Sequence, residues 1–255
     1  MNAENPVRKS LQLLWYGLPD PKKGPKPTLT LEQIVRTAID LADSEGLDAL
    51  SMRKLAQRLD VGTMSLYRYV PSKTELLNLM LDAVSGPTHL RRTTFDAGWR
   101  VGLEGVGHGG RQQYLAHPWL LQVNWTRPVL GPNSVADMEL IMTGLKDLPL
   151  SDREKMHVVV ALDSYVTGAV RQEILSQRAA AESGMTDEEF WEAQAPFLYE
   201  IFDTGRYPTM ASLSEDTFAG TWEESFDFGL RLLLDGIEQQ LARRAESPDT
   251  ADTPF

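Results

Sequence analysis

Residues 51–70 read SMRKLAQRLDVGTMSLYRYV, and this stretch decides the fold of the N-terminal region. Leu55 and Leu59 stand at helical spacing, and Asp60-Val61-Gly62 then interrupts the pattern. A second short helix is predicted from Thr63 to Val70. Two short helices joined by a turn of three to four residues are the layout of a helix-turn-helix, whose second helix enters the major groove of DNA. A helical hairpin with no role in DNA binding is the alternative for this pattern alone.

Helix-start signals recur along the rest of the chain. A hydroxyl residue followed three positions later by Glu or Gln forms a capping box, in which each side chain binds the other residue's backbone N–H. Such pairs stand at Thr30/Gln33, Ser72/Glu75, Ser151/Glu154 and Thr186/Glu189. Apolar residues repeat at helical spacing after them, and no stretch alternates convincingly with a period of two. The sequence therefore predicts an all-α protein.

The chain has 255 residues, a formal net charge of −11 and no cysteine. Residues 1–80 carry 11 Lys and Arg against 9 Asp and Glu, whereas residues 81–255 carry 14 against 27. A mildly basic front on an acidic body can still bind phosphates, because salt screens charges beyond about 8–10 Å. The absence of cysteine excludes disulfides, a thiolate nucleophile and cysteine-bound metals. The sequence contains neither a membrane span nor a signal peptide, so we expect a cytoplasmic protein without membrane contact, metal or cofactor.

We divide the chain into four segments. Residues 1–29 are rich in Pro, Lys and Gly, and we expect them to form a flexible basic arm. Residues 30–77 hold the helix-turn-helix, and residues 78–245 form a larger helical body. Residues 246–255 are expected to be a disordered tail.

A longer stretch around the opening motif resembles a known family. Residues 46–77 read GLDALSMRKLAQRLDVGTMSLYRYVPSKTELL, which is similar to the tetracycline-repressor (TetR) family of transcriptional regulators, and LYRYVPSKTELL is the most specific part. YLAHPWLLQVNWTRPVLGPN (114–133) and ALDSYVTGAVRQE (161–173) resemble the C-terminal region of the tetracycline-repressor branch. The resemblance implies an all-α fold, with an N-terminal three-helix DNA-binding domain followed by a larger helical ligand-binding and dimerisation domain.

The resemblance also implies a set of DNA contacts. Thr63, Met64 and Ser65 open the recognition helix and face the groove, where Met64 is suited to a thymine methyl group. The other implied contacts are Arg53 at the start of the preceding helix, Tyr67 and Tyr69 at phosphates or methyl groups, Lys73 at a phosphate beside a helix N-terminus, and Lys26 in the arm. Packing is the alternative for Met64, and half-burial in the core is the alternative for Tyr67. Asp60 stands where the family usually places glycine, and Asp tolerates left-handed backbone better than most residues.

An effector pocket in the helical body is a further implication, because in this family a bound ligand changes the spacing of the two reading heads of the dimer. The candidate lining residues are His89, Trp99, His117, Trp119, Trp125, Arg127, Tyr165, Gln172 and Phe197. This lining predicts a flat, partly apolar organic ligand. Core packing is the alternative for the aromatic residues, and helix capping is the alternative for His117. Val123 replaces the histidine that binds metal-bound tetracycline in that branch, which predicts that such a drug does not bind.

Six glycines fall between residues 98 and 110. Each glycine inside a helix costs about 0.8–1 kcal/mol relative to alanine, so we expect a soft or broken helix beside the pocket. Residues 105–110 also spell G-x-G-x-x-G, but a dinucleotide site needs a preceding strand that the sequence does not predict. No Gly-x-Ser-x-Gly elbow or P-loop occurs, and we expect no enzyme.

The sequence therefore predicts a ligand-responsive regulator, a repressor that binds a palindromic operator in double-stranded DNA as a homodimer and is released by a small organic effector. We expect the dimer contact to be a four-helix bundle of residues 152–178 and 215–244 from each subunit, because the apolar stripe of the last helix is too wide for a monomer surface. Two alternatives remain. One is a constitutive DNA-binding regulator with no effector, and the other is an all-α small-molecule-binding module without DNA recognition.

Overall fold

The computed structural model describes residues 6–18, 29–86, 94–123, 127–214 and 216–246. Helices and turns account for the regular structure of this part of the chain, which confirms the all-α prediction. The α-helices are α1 (Pro6–Tyr16), α2 (Leu31–Glu45), α3 (Met52–Arg58), α4 (Thr63–Tyr67), α5 (Lys73–Val84), α6 (Trp99–Ala116), α7 (Pro132–Gly144), α8 (Asp152–Ser183), α9 (Asp187–Asp203), α10 (Pro208–Ala211) and α11 (Trp222–Glu246). Short 3₁₀ turns cover Leu47–Ala49 and Pro118–Gln122.

Local signals set the boundaries of α2. The Thr30 hydroxyl accepts a hydrogen bond from the Gln33 backbone, and the Gln33 side chain accepts one in return from the Thr30 backbone N–H. Gly46 ends the helix with a φ of 84°, a conformation that favours glycine. The buried face of α2 meets Leu55 and Leu66 in the core of the N-terminal domain.

The N-terminal segment corrects one of our expectations. We expected residues 1–29 to form a flexible arm, but Pro6–Tyr16 forms helix α1, which packs along α5. Leu13 and Leu14 face the core, and Ser10 is buried. The apolar residues of α1 thus pack against α5. The sequence of residues 6–16 alone does not show that α5 provides this surface. The tail beyond residue 246 and the lysines Lys22, Lys23 and Lys26 lie outside the described residues.

Helix α6 corrects the expectation of a broken helix, because it is continuous through the glycine-rich segment, while the expectation of a soft helix stays a prediction. A Cβ atom added at Gly102 would lie 2.1 Å from the Phe95 ring, and one added at Gly107 would lie 3.0 Å from Leu230. Gly110 makes a similar close approach to Val166 on α8. The glycines therefore let neighbouring side chains reach the helix backbone, and this packing offsets the low helix propensity.

The helical body is built around α6, α8 and α11, whose contact is formed by Leu103, Leu162, Val166 and Leu230. Ser151 starts α8 with the capping box that the sequence predicts, and Thr186 starts α9 in the same way. Helix α9 contains no buried residue.

Candidate DNA interface and effector-binding body

The turn of the helix-turn-helix is held in a tight conformation. Asp60 has a φ of 53°, in the left-handed region that the glycine of the family usually occupies. The Val61 backbone N–H donates to the Ala56 carbonyl at 3.0 Å, which closes the turn on α3. Ala56 and Leu66 are buried where α3 and α4 meet, so the small side chain at residue 56 permits the close approach. The position of α4 relative to α3 is fixed by these contacts.

The recognition helix α4 presents its first residues to solvent. Met64 is 77% exposed, although burial of a large apolar side chain usually stabilises the folded state. Ser65 is exposed as well, while Thr63 is partly buried near the turn. Tyr67 is 41% exposed on the same short helix. The arrangement leaves an apolar and a hydroxyl-bearing side chain available to base edges in a major groove.

Charged residues around α4 fall into two groups. Glu45 forms ion pairs with Lys54 and Arg58, the latter at 2.9 Å, and these hydrogen bonds, that of Lys54 foremost, lower the pKa of the Glu45 carboxyl. Arg53 and Lys73 are exposed, and Lys73 Nζ donates to the Leu47 carbonyl at 3.3 Å. Arg53 and Lys73 thus combine exposure with positive charge, as phosphate contacts require.

Two expected DNA contacts remain, Tyr69 and Lys26. Tyr69 is partly buried and packs against the domain core. Its ring therefore contributes to the core, and only its exposed part is available for the expected contact with DNA. Lys26 lies outside the described residues.

His117 and Trp119 lie at the junction between the two domains. Trp119 Nε1 donates to the Asp43 carboxylate of α2 at 2.7 Å, and His117 Nδ1 lies 2.9 Å from the same carboxylate. The Trp119 side chain is 1% exposed, so its ring fills the junction. Within the single chain, these two residues join the DNA-binding domain to the C-terminal end of α6, and their role in an effector pocket stays a prediction.

A second junction involves Asp82 on α5, whose side chain is buried. Its carboxylate accepts hydrogen bonds from the backbone N–H of Asn133 and Ser134 and from the Ser134 hydroxyl, the last at 2.9 Å. These donors lie at the N-terminus of α7, where the helix dipole favours negative charge. Gly131 permits the approach, because a Cβ atom there would lie 2.4 Å from the carboxylate. No local sequence signal predicts this contact.

The other expected effector residues are dispersed among the described parts of the molecule. Trp99, the first residue of α6, borders a cavity of about 400 Å³ with Phe95 and Leu140, and the junction at His117 follows the other end of this helix. Arg127 and Gln172 are exposed, and Phe197 on α9 is 70% exposed. His89 and Trp125 lie outside the described residues. The described residues do not bring this set together into one pocket within a single chain.

Tyr165 lies between α8 and α11. Its hydroxyl donates to the Phe226 carbonyl at 2.7 Å, and its ring packs 5.5 Å from that of Phe226. Burial raises the pKa of the Tyr165 phenol, so the group is a neutral hydroxyl at physiological pH. The Tyr165 hydroxyl therefore already donates a hydrogen bond within its own chain.

Polar residues that our sequence reasoning missed lie between α6 and the helices beside it. Arg111 pairs with Glu173 at 2.9 Å, and its guanidinium lies over the Phe226 ring. Thr167 donates to the Tyr114 hydroxyl at 3.1 Å, and burial raises the pKa of that phenol. The sequence shows these residue types but not their meeting, which depends on how α6, α8 and α11 pack.

Two further properties, concerning membrane spans and metal ligands, apply to the described residues as a group. No helix among them is long and apolar enough to cross a membrane. Within the same residues, no group of three His, Asp or Glu side chains is arranged to hold a metal ion.

A helix-turn-helix with an exposed recognition helix, joined to a larger helical body, defines a class of DNA-binding regulators. Residues 34–80 match the family described as bacterial regulatory proteins, tetR family, and residues 94–241 match the tetracyclin repressor-like C-terminal domain. The HTH-type transcriptional repressor DrrR1 of Streptomyces coeruleorubidus is 48% identical over 242 residues, which cover 94% of this chain and 89% of that protein.

Solved structures agree with this assignment. Apo ActR from Streptomyces coelicolor has a TM-score of 0.66 and 27% identity, over 86% of this chain and 99% of that chain. ActR in complex with actinorhodin has a TM-score of 0.59 and 28% identity, over 84% and 99%. The chain belongs to the TetR family of transcriptional regulators. It is a ligand-responsive DNA-binding repressor, as the sequence predicts.

Proposed function

We propose that this repressor reads a palindromic operator as a homodimer and leaves it when a flat, aromatic organic compound binds the helical body. The observation that carries the DNA-reading part is the exposure of Met64 and Ser65 at the start of α4. Both side chains lie on a helix that Ala56 and Leu66 hold rigidly against α3. With DNA as its target, we place the protein in the cytoplasm.

The apolar surface of α8 and α11 supports the homodimer. Val160 and Leu175 on α8, and Phe228 and Leu232 on α11, are each more than half exposed in one chain. A groove beside them is lined by Val158, Leu233 and Ile237, among others. Large exposed apolar patches mark interfaces between proteins, and a second copy offers the same surface for a two-fold contact.

Helix α9 supports the same arrangement. Its aromatic residues Phe190, Trp191, Phe197 and Tyr199 are all more than half exposed, and α9 has no buried residue in the single chain. In a dimer, these residues would be covered by the partner subunit. Phe197 then becomes a lining residue of the partner's effector pocket rather than of its own.

The class of effector is inferred from the aromatic residues and from the relatives. ActR, which is similar over most of this chain, has been solved with actinorhodin bound. Val123 packs against the core at the position where a metal ligand would be needed for tetracycline. An apolar valine cannot bind Mg²⁺. We therefore favour a planar polycyclic compound that binds without a metal ion.

The test is fluorescence anisotropy of the full chain on a duplex obtained by binding selection, titrated with actinorhodin. We expect the anisotropy to fall at micromolar actinorhodin, and we expect no change with tetracycline and Mg²⁺. A matched control is the variant with Thr63→Ala and Ser65→Ala, which should lose preference for the selected duplex over a scrambled one. Release by tetracycline and Mg²⁺ at micromolar concentration would contradict the metal-free effector class. Continued preference in the double variant would contradict the role of α4.

A further inference from the structure

Helix α1 connects two parts of the molecule that are distant in sequence. Its middle residue Ser10 is buried and accepts a hydrogen bond from Asn78 Nδ2 of α5 at 2.9 Å. Near its C-terminal end, Trp15 Nε1 donates to the Leu130 carbonyl at 3.1 Å. Residues 127–131, which we call the junction loop, lead directly into α7. One short helix therefore contacts both α5 and the junction loop.

The Asp82 contact lies beside the second of these attachments. Asp82 is one turn after Asn78 on α5, and it caps the first turn of α7 just beyond the junction loop. The junction is thus attached to α5 directly through Asp82 and indirectly through α1. Helix α5 follows the recognition helix in the chain and contributes to the same hydrophobic core.

The strengths of the two attachments differ. Asp82 is 4% exposed, and breaking its contacts would leave a carboxylate buried without donors. Trp15 is about half exposed, so water can replace Leu130 as the acceptor for its indole N–H. The Trp15 contact can therefore open and close at small cost, as expected of a contact that responds to the state of a neighbouring site.

We propose that α1 is a coupling strap, through which the state of the junction loop is transmitted to α5 and so to the DNA-reading helix. This inference rests on the proposed function, because Arg127 of the junction loop is one of the expected effector contacts. The strap acts on the response to effector.

The test compares Trp15→Phe, which keeps a ring but removes the N–H donor, with Tyr16→Phe, which alters the adjacent and highly exposed residue. Amide hydrogen exchange is measured on both full-length variants without any ligand. We expect exchange in residues 73–84 and in 130–136 to become about fivefold faster in Trp15→Phe, the factor that corresponds to loss of one ordinary hydrogen bond. The control should match the unaltered protein. A change confined to 130–136, or no change, would overturn the strap.

A second readout separates this inference from the proposed effector class. In the anisotropy assay, the ratio of operator Kd with actinorhodin to operator Kd without it should fall about fivefold in Trp15→Phe and stay constant in Tyr16→Phe. An equal ratio in both variants would overturn the role of the strap in signalling. If actinorhodin releases neither the variants nor the unaltered protein, the proposed effector is wrong, and the exchange result alone decides the strap.

Discussion

Lys73 is the residue for which we predict a phosphate contact from a single exposed charge. It is exposed at the start of α5, where its charge and the helix dipole both favour a phosphate. Lys54 has the same side chain but is paired with Glu45. Lys54 thus forms an ion pair with an acidic residue of its own chain, whereas the hydrogen bond of Lys73 goes to a backbone carbonyl.

We expect Lys73→Ala to weaken binding to every duplex by a similar factor, and to lower the slope of log K against log salt by about one. Lys54→Ala is the matched control and should change the slope less. The measurement is anisotropy on operator and random DNA over a series of salt concentrations. An unchanged slope in Lys73→Ala would show that this lysine does not contact a phosphate.

Met64 should act on sequence preference instead. Its exposed thioether side chain can contact a thymine methyl group but cannot form a bidentate hydrogen bond to a base. We expect Met64→Ala to weaken operator binding about fivefold while leaving binding to random DNA unchanged. Met210→Ala, which alters an exposed methionine of the helical body, is the control. Equal losses on both kinds of DNA would argue against a base contact.

Among the helices, α6 shows how packing overrides propensity. The Phe95 ring lies between the backbones of α6 and α7, and a Cβ atom at Gly144 would lie 2.0 Å from it. Gly144→Ala should therefore lower the free energy of unfolding by about 1–3 kcal/mol, although alanine favours helix. Chemical denaturation gives this value. In a Phe95→Ala background the cost of Gly144→Ala should nearly vanish, and an equal cost in both backgrounds would exclude the ring as its cause.

The ends of α8 and α11 are linked by a pair whose strength depends on pH. Hydrogen bonds from Arg244, and then from Ser151, lower the pKa of Glu154 to about 2. Because the folded-state pKa lies below the ordinary value of 4.5, the pair stabilises the fold above that value, and the contribution is lost as the pH falls towards 2.

Between pH 5.5 and 3, the Tm of the unaltered protein should consequently fall more steeply than that of Glu154→Gln. Glu139→Gln, at an exposed position of α7, should follow the unaltered protein. Thermal melts at several pH values make the comparison. Parallel curves for Glu154→Gln and the unaltered protein would refute a stabilising role of the pair.

Elements with local signals were predictable, and those that depend on distant partners were not. Thr30, Ser151 and Thr186 cap helices with their own neighbours in sequence, so the sequence alone places these starts. The continuity of α6 depends on Phe95, Leu230 and Val166, which lie elsewhere in the chain. Helix α1 was missed for the same reason, because α5 supplies the surface on which it packs.

The candidate functional site likewise has features that local sequence predicts and features that depend on distant residues. The exposed start of α4 follows from the helix-turn-helix pattern, and the structure places Met64 as that pattern requires. The role of Trp119 does not follow from sequence, because its partner Asp43 is 76 residues away. The effector pocket is the least predictable part, since Phe197 is 70% exposed in its own chain and, in the proposed dimer, its surroundings would depend on a second subunit.

At the scale of the whole molecule, the mildly basic residues 1–80 and the acidic residues 81–255 are proposed to have different functions. The net charge of −11 is concentrated after residue 80, away from the reading helix. In the proposed complex, α8, α9 and α11 of the body would contact a second copy, and α4 would contact DNA. Two such fronts on one dimer must match half-sites about 34–36 Å apart, so a small change at the domain junction suffices to weaken binding.

Binding selection from a random duplex library, repeated at two salt concentrations with the full chain, tests the central claim most directly. We expect an enriched near-palindrome at both salts, with half-sites about one helical turn apart or slightly more. Its enrichment should disappear in the Thr63→Ala, Ser65→Ala variant. Salt-sensitive binding without an enriched motif, or a single unrepeated half-site, would contradict a dimeric sequence reader.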